Sequence, residues 1–141
     1  MPNDCQCKVR VGATEDHINF LCDSEFSFEK VYPRPEGVDA YEWNVKHWGT
    51  KWDRADYEVL HKGKLGVQVT FTTAWGPPVE LFKYLAETYH DLWLRCDWSE
   101  EGGLAGVYVV FWNDKEKKLE ITDTAWDDWC LEEWAHRFRN E

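Results

Sequence analysis

Apolar–polar alternation recurs along this chain, and helical stripes fall between the alternating stretches in an order that few folds accommodate. Lys8-Val9-Arg10-Val11 alternates charge with valine as far as Gly12, which predicts a strand with one face buried. Ala55, Tyr57, Val59 and His61 alternate with polar neighbours, and Leu65, Val67, Val69 and Phe71 do the same. Between them, His61-Lys62-Gly63-Lys64 predicts a hairpin turn in which glycine supplies a positive φ. Leu92, Leu94, Cys96 and Trp98 alternate again; after a Gly-rich turn at 100–103, residues 104–112 form a nearly all-apolar strand. Residues 117–123 add an edge strand.

The helices are marked by caps and by i, i+3, i+4 spacing. Thr14 before Glu15 and Asp16 predicts a helix start, with the hydroxyl capping free N–H groups and the acids at the positive end of the dipole. Ile18, Leu21 and Cys22 form its short stripe, and it stops near Asp23-Ser24. Phe26, Phe28 and Val31 lead into Tyr32-Pro33-Arg34-Pro35, an extended segment that proline keeps out of any central strand. In residues 39–53, DAYEWNVKHWGTKWD, Asp39 with Glu42 predicts a capping box. Tyr41, Val45 and Trp48 are expected to face the core, Trp43 and His47 to occupy another face, and Gly49 to end the helix in a left-handed cap. Pro77-Pro78 opens a further helix whose inner stripe is Val79, Phe82, Leu85 with Ala86, and Tyr89. Thr124 is expected to cap a final helix carrying Trp126, Cys130, Trp134 and Phe138 at four-residue spacing, with Trp129 beside them.

The resulting order is β-α-(loop, short α)-β-β-α-β, then β-β-α. Its first part is the split β-α-β arrangement of the ferredoxin-like fold. The chain is therefore expected to be α+β: an antiparallel sheet with helices on one face, extended by extra C-terminal strands and a C-terminal helix. Residues 1–141 read as one domain, with 114–141 as an extension packed on it.

Composition narrows the function. The 27 Asp+Glu against 16 Lys+Arg leave a net charge of −11, so direct nucleic-acid binding is disfavoured, because neutralising phosphates needs a basic surface. Apolar runs fall short of the ~20 residues of a membrane span, and the opening MPNDCQCKVR lacks the basic-then-apolar pattern of a secretion signal. Five cysteines without such a signal point to reduced thiols in a cytoplasmic setting. Cys5-Gln6-Cys7, with His17 or Cys22, invites a metal reading. The spacing misses the usual C-x2-4-C of zinc knuckles, so core-filling thiols are expected, with no metal and no cofactor.

Four segments in one order carry a resemblance: MPN-x-C at the start, FSFEKVYPRPEG at 26–37, YEWNVKHWGTKWD at 41–53 and FTTAWGPP at 71–78. Together with the Gly-rich turn near 102, they resemble the YubB-type family of phage, plasmid and bacterial proteins, which has a ferredoxin-like domain. The resemblance spans roughly residues 1–113. WGTKW and TAW-x-PP are its most specific parts. The chain departs at Asp4, His47 and Gly76, where the family tends to have Trp, Asn and Ser. The resemblance implies a fold and a mobile-element origin, and no activity.

Trp43, His47, Trp48, Lys51, Trp52 and Trp75 are the candidate ligand-binding residues, since aromatic faces stack on rings and one lysine can hold an anion. Packing of these tryptophans onto the sheet, with Lys51 snorkelling over them, explains the same pattern. An enzyme would draw on His47 with Asp53, His61, His90, or Asp97 with Glu100 and Glu101, but recognisable nucleophile or phosphate-loop motifs are lacking. Asp127, Asp128, Glu132 and Glu133 permit a DNA-mimic reading, although acidic excess commonly serves solubility. The expectation is a non-enzymatic accessory module of a phage or related mobile element, acting on a host protein or small ligand through a Trp-rich surface. A nucleotide-signal-sequestering anti-defence protein, an acidic DNA mimic and a small hydrolase are the alternatives.

Overall fold

Alternating burial organises the molecule. In a computed structural model, which describes residues 3–126, Cys5, Cys7, Val9 and Val11 are buried while Gln6, Lys8 and Arg10 point to the opposite face. These residues belong to β1 (Asp4–Gly12), which is followed by α1 (Glu15–Asp23), α2 (Phe28–Val31), α3 (Ala40–His47), β2 (Ala55–Lys62) and β3 (Gly66–Ala74). The chain continues as α4 (Val79–Thr88), β4 (Trp93–Glu100), β5 (Ala105–Asn113) and β6 (Lys118–Trp126).

The strands form one six-stranded sheet in the order β2-β3-β1-β4-β5-β6, with every neighbour antiparallel. β3 lies between β1 and β2, and β1 lies between β3 and β4, so both crossovers are split β-α-β units. This is the ferredoxin-like arrangement, extended by β5 and β6. Register places apolar residues in rows: Val9 opposes Val69 and Cys96, and Val11 opposes Val67 and Leu94. Ile18 and Leu21 of α1 and Leu81, Phe82, Leu85 and Ala86 of α4 pack on that face. The aromatic side of the core runs Phe26–Phe71–Phe28–Trp48, with successive ring centroids 5.7, 5.7 and 5.8 Å apart.

Several local expectations change. Phe28–Val31 is a short helix because the Asp53 carboxylate accepts from the Phe28 and Glu29 amides and the Ser27 hydroxyl, capping it from a distant loop. Thr14 does not cap α1 with its hydroxyl; its amide donates to Asp91 Oδ2 at 2.8 Å instead. Gly63 is not at positive φ, since the hairpin closes through Gly63 N–H to the Gly66 carbonyl, 2.8 Å, with β2 running on to Lys62. Thr124 is no helix cap: it pairs with Val107 inside β6, which ends at Trp126 opposite Ala105. The rest of the expected final helix, from Asp127 through Cys130, Trp134 and Phe138, lies outside the described residues.

The thiols of Cys5, Cys7 and Cys96 are buried core groups. The neighbouring Cys7 thiol and burial push Cys5 up, and burial pushes Cys7 and Cys96 up, so all three pack as neutral, small apolar groups. Cys22 is half-buried.

Asp91 ties α1 to the α4–β4 connection, accepting from Thr14 N–H and contacting His17 Nδ1 at 2.8 Å. Burial works to raise its carboxyl, but the Thr14 amide and the His17 ring outweigh it and hold the group below the ordinary 3.8. A depressed carboxylate contributes stability that is complete above its unfolded value and fades as pH falls through the folded one. Asp91→Asn is therefore expected to destabilise the domain at neutral pH, and the gap from wild type should close below about pH 3.8. Urea titrations across pH 2–7 check this; a gap that persists unchanged at the acid end contradicts it.

Candidate functional site

The short helix α3 and the loop after it build the site. The Asp39 carboxylate accepts from the Glu42 amide at 2.9 Å and fixes the start of α3. The face turned inward is Asn44 and Trp48, which are 5% and 1% exposed, whereas Tyr41 and Val45 point outward at 54% and 43%. The expected inward stripe of Tyr41, Val45 and Trp48 is thus rotated, and only Trp48 holds its place. The cause is a polar hub: Asn44 Nδ2 donates to the Lys51 carbonyl at 2.7 Å and its Oδ1 accepts from Arg34 at 3.0 Å. A buried amide with both ends satisfied costs little, and it pins the loop that carries Lys51.

Five of the six candidate residues separate into two groups around α3, and Trp52 joins neither. On one side Trp48 donates its indole N–H to the Tyr32 carbonyl at 2.9 Å. Trp43 stands edge-on to it at 5.5 Å and stacks on His47 at 4.5 Å. His47 Nδ1 shares a 2.9 Å hydrogen bond with the Tyr32 hydroxyl, and Tyr32 stacks flat on Tyr84 at 3.7 Å. Burial, then Tyr84 and Glu87, push the Tyr32 hydroxyl up. Trp43, His47 and Trp48 are therefore rungs of an aromatic ladder leading into the core, as the packing reading expects.

On the other side Lys51 and Trp75 meet, joined by Tyr41 and Val45. The Lys51 ammonium lies 3.4 Å from the Trp75 ring centroid and 5.5 Å from that of Tyr41, a cation held on aromatic faces. Trp75 is half-exposed at φ +68°, and the Gly76 amide donates back to the Ala74 carbonyl at 2.9 Å. This is a γ-turn of the strained hand, a conformation that a bulky residue rarely adopts. Three contacts hold it: Trp75 N–H to the Asn3 carbonyl at 2.7 Å, the Thr73 hydroxyl to the Gly76 carbonyl at 2.7 Å, and the Thr50 hydroxyl to the Ala74 carbonyl at 3.0 Å. Between this turn and α3 lies a cleft of about 290 Å³, with Thr50 and Ala74 among its lining. Trp52 follows in the loop with its ring half-exposed and does not line the cleft.

A second depression of about 260 Å³ lies on the sheet face opposite α1 and α4, lined by Gln6, Lys8, Leu60, Thr70, Asp97 and Ser99 among others. Its buried carboxylate, Asp97, is taken by Arg95 through bonds of 2.8 and 3.1 Å. The other candidates for chemistry serve structure as well. Asp53 caps α2, His90 stacks on Trp112 at 4.2 Å, Glu100 accepts from Asn3, and Glu101 accepts from the Asp4 amide. His61 is exposed on β2. No cluster of three or more His, Cys, Asp or Glu that could hold a metal ion occurs among the described residues, and none of their helices is long and apolar enough to cross a membrane.

Tyr41 and Val45 are the cleft residues that sequence reasoning assigned to the core. The i, i+4 pair Asn44 and Trp48 was the signal for the true inner face, masked because asparagine reads as a surface residue. A family model described as a ferredoxin-like domain in Api92-like protein matches residues 47–128, more than half of the chain and including Lys51 and Trp75. Neither a curated protein nor a solved structure matches the chain.

Proposed function

This chain belongs to the family of ferredoxin-like domains in Api92-like proteins, and from that premise we propose that it is a non-enzymatic binding module acting through the cleft between α3 and the turn at Trp75. The observation that carries the reading is the strained turn itself. Backbone strain on a half-exposed tryptophan persists only where surrounding contacts enforce it, and such strain gathers at functional positions. Packing alone does not account for it, because Trp75 leaves half its surface in solvent. In this reading Trp43, His47 and Trp48 brace the cleft from behind, while Lys51, Trp75, Tyr41 and Val45 make contact.

The finer setting is also a proposal. The four segments resembling the YubB-type family support an accessory role in a phage or related mobile element, and the free thiols of Cys5, Cys7, Cys22 and Cys96 suit a reducing host cytoplasm. The occupant is a host protein or a small ligand. Direct nucleic-acid binding is disfavoured by net charge, and β1 and β3, the inner pair of the four ferredoxin-like strands, present Gln6, Lys8, Arg10, Gln68, Thr70 and Thr72 on the face opposite α1 and α4 rather than stacking aromatics.

Trp75→Gly and Trp75→Ala test the reading. Glycine accepts the positive φ freely, so Trp75→Gly should be the more stable variant by about 1 kcal/mol, the reverse of the usual order of Ala and Gly. Both should lose binding. The assay follows backbone amide NMR shifts while mononucleotides, cyclic dinucleotides, aromatic carboxylates and acidic peptides are added in turn. Support is a saturable shift centred on residues 41–51 and 74–76 that Trp75→Gly removes. Silence across the series, or shifts centred on the sheet face opposite α1 and α4, overturns it.

A further inference from the structure

The ligand class of the cleft follows from its cation and its walls, and this step rests on the cleft reading above. Lys51 is half-buried, its carbonyl is pinned by Asn44, and its ammonium rests on the Trp75 ring. Among the described residues, its side chain has no carboxylate within ion-pair distance. In a chain of net charge −11, an ammonium held on aromatic faces rather than on one of 27 carboxylates is available to an anion from outside.

The size of that negative charge is limited. One ammonium compensates one unit, whereas a phosphate monoester carries about 1.5–2 at pH 7. α3 adds Asp39 and Glu42 at its start against Lys46 near its end, and Glu80 at the start of α4 is already paired with Lys83 at 3.2 Å. The field of the whole acidic molecule, at net charge −11, opposes a second charge. The remainder of the cleft is mostly apolar, and the Thr50 hydroxyl in its lining is already bonded to the Ala74 carbonyl. Tyr41, Val45 and Trp75 stand around about 290 Å³ of space, the low end of small-ligand pockets and room for one ring-sized group. Gly76 leaves one margin open, since a Cβ there would meet nothing within 4 Å.

We infer that the cleft takes a monoanionic carboxylate joined to an aromatic or branched apolar body, with the Lys51 ammonium pairing the carboxylate and the Tyr41 and Trp75 rings flanking the body. A free aromatic acid and an acidic–aromatic peptide end offer the same chemistry. A nucleoside 5′-monophosphate does not, because its phosphate monoester brings a second charge.

The test is a set of NMR titrations of the whole protein with indole-3-acetate, indole, AMP, and an acetylated, amidated Phe-Asp dipeptide. Indole-3-acetate or the dipeptide should shift the Lys51 and Trp75 amides saturably, and the tighter of the two identifies the source. Indole should bind about tenfold more weakly than its acetate, as expected for losing one charge-assisted hydrogen bond. Lys51→Met, which keeps the apolar stem, should erase that preference while the protein still unfolds cooperatively on heating, and added salt should weaken the acetate selectively. Equal binding of indole and its acetate, binding of AMP at least as tight as either carboxylate, no response to either carboxylate, or no effect of Lys51→Met overturns the inference. If binding in any of these cases is still abolished by Trp75→Gly, the cleft reading survives without it.

Discussion

Trp48→Ala is expected to destabilise the domain by about 3–5 kcal/mol, the range for deleting a large buried aromatic. Few side chains here are tied in so many ways. Trp48 is 1% exposed, packs edge-on against Phe28 and Trp43 at 5.8 and 5.5 Å, and donates its N–H to the Tyr32 carbonyl. Its own carbonyl accepts from Leu81 in the first turn of α4 at 3.3 Å. Truncation opens a cavity exactly where α2, α3 and α4 meet, and the backbone bond to Leu81 limits how far the helices can close it. For a domain whose whole stability is about 5–15 kcal/mol, that is a large share. Trp48→Phe retains most of the volume but strands the Tyr32 carbonyl, so a smaller loss of about 1–3 kcal/mol is expected. Urea midpoints at constant slope measure both. If Trp48→Ala comes within about 1 kcal/mol of wild type, the burial of Trp48 is not what joins these helices.

Gly49→Ala should be nearly as damaging. Gly49 sits at φ +82°, and a Cβ there would stand 3.1 Å from the amide nitrogens of both Val79 and Glu80. The positive φ alone costs an L-residue about 1–2 kcal/mol. The clash adds to it, because the obstacles are backbone atoms at the start of α4 and not the ends of flexible side chains. Gly37 provides the control. It has a similar φ of +79° but nothing within 4 Å of an added Cβ, so Gly37→Ala should cost the φ penalty alone. The difference between the two variants isolates the close approach of α3 and α4. Gly49→Ala should also displace Lys51, two residues on, and weaken binding even in molecules that remain folded. Equal losses at Gly37 and Gly49 would show that the approach is not tight.

Much of the architecture was legible in local pattern. The valine alternation before Gly12, the hairpin pair and the proline-opened helix at 79 each carry a periodicity that one local geometry satisfies. The Gly-rich turn near 102 was legible from its glycines, and Gly103 adopts φ +101° there. Legibility failed where a partner distant in sequence decides the outcome. The Asp53 carboxylate makes a helix of 28–31, Asp91 takes over the role assigned to the Thr14 hydroxyl, and pairing with Val107 draws Thr124 into β6. The candidate site shows the same division. Trp43, His47, Trp48, Lys51, Trp52 and Trp75 were visible as a cluster of chemistry, but their allocation was not.

By itself, the sequence determined the ferredoxin-like order of strands and helices, because alternation of period two and stripes of period 3.6 are local properties of the chain. It also determined that aromatic groups would crowd around α3. Only the tertiary structure decided which of them are braces and which face solvent. Asn44, satisfied from both sides by Lys51 and Arg34, turns the helix so that Tyr41 and Val45 face outward. The contacts of Asn3, Thr50 and Thr73 then hold Trp75 in a turn that it would not adopt alone. A buried polar group chooses its orientation by where its hydrogen-bond partners lie, and those partners come from segments that no local pattern brings together.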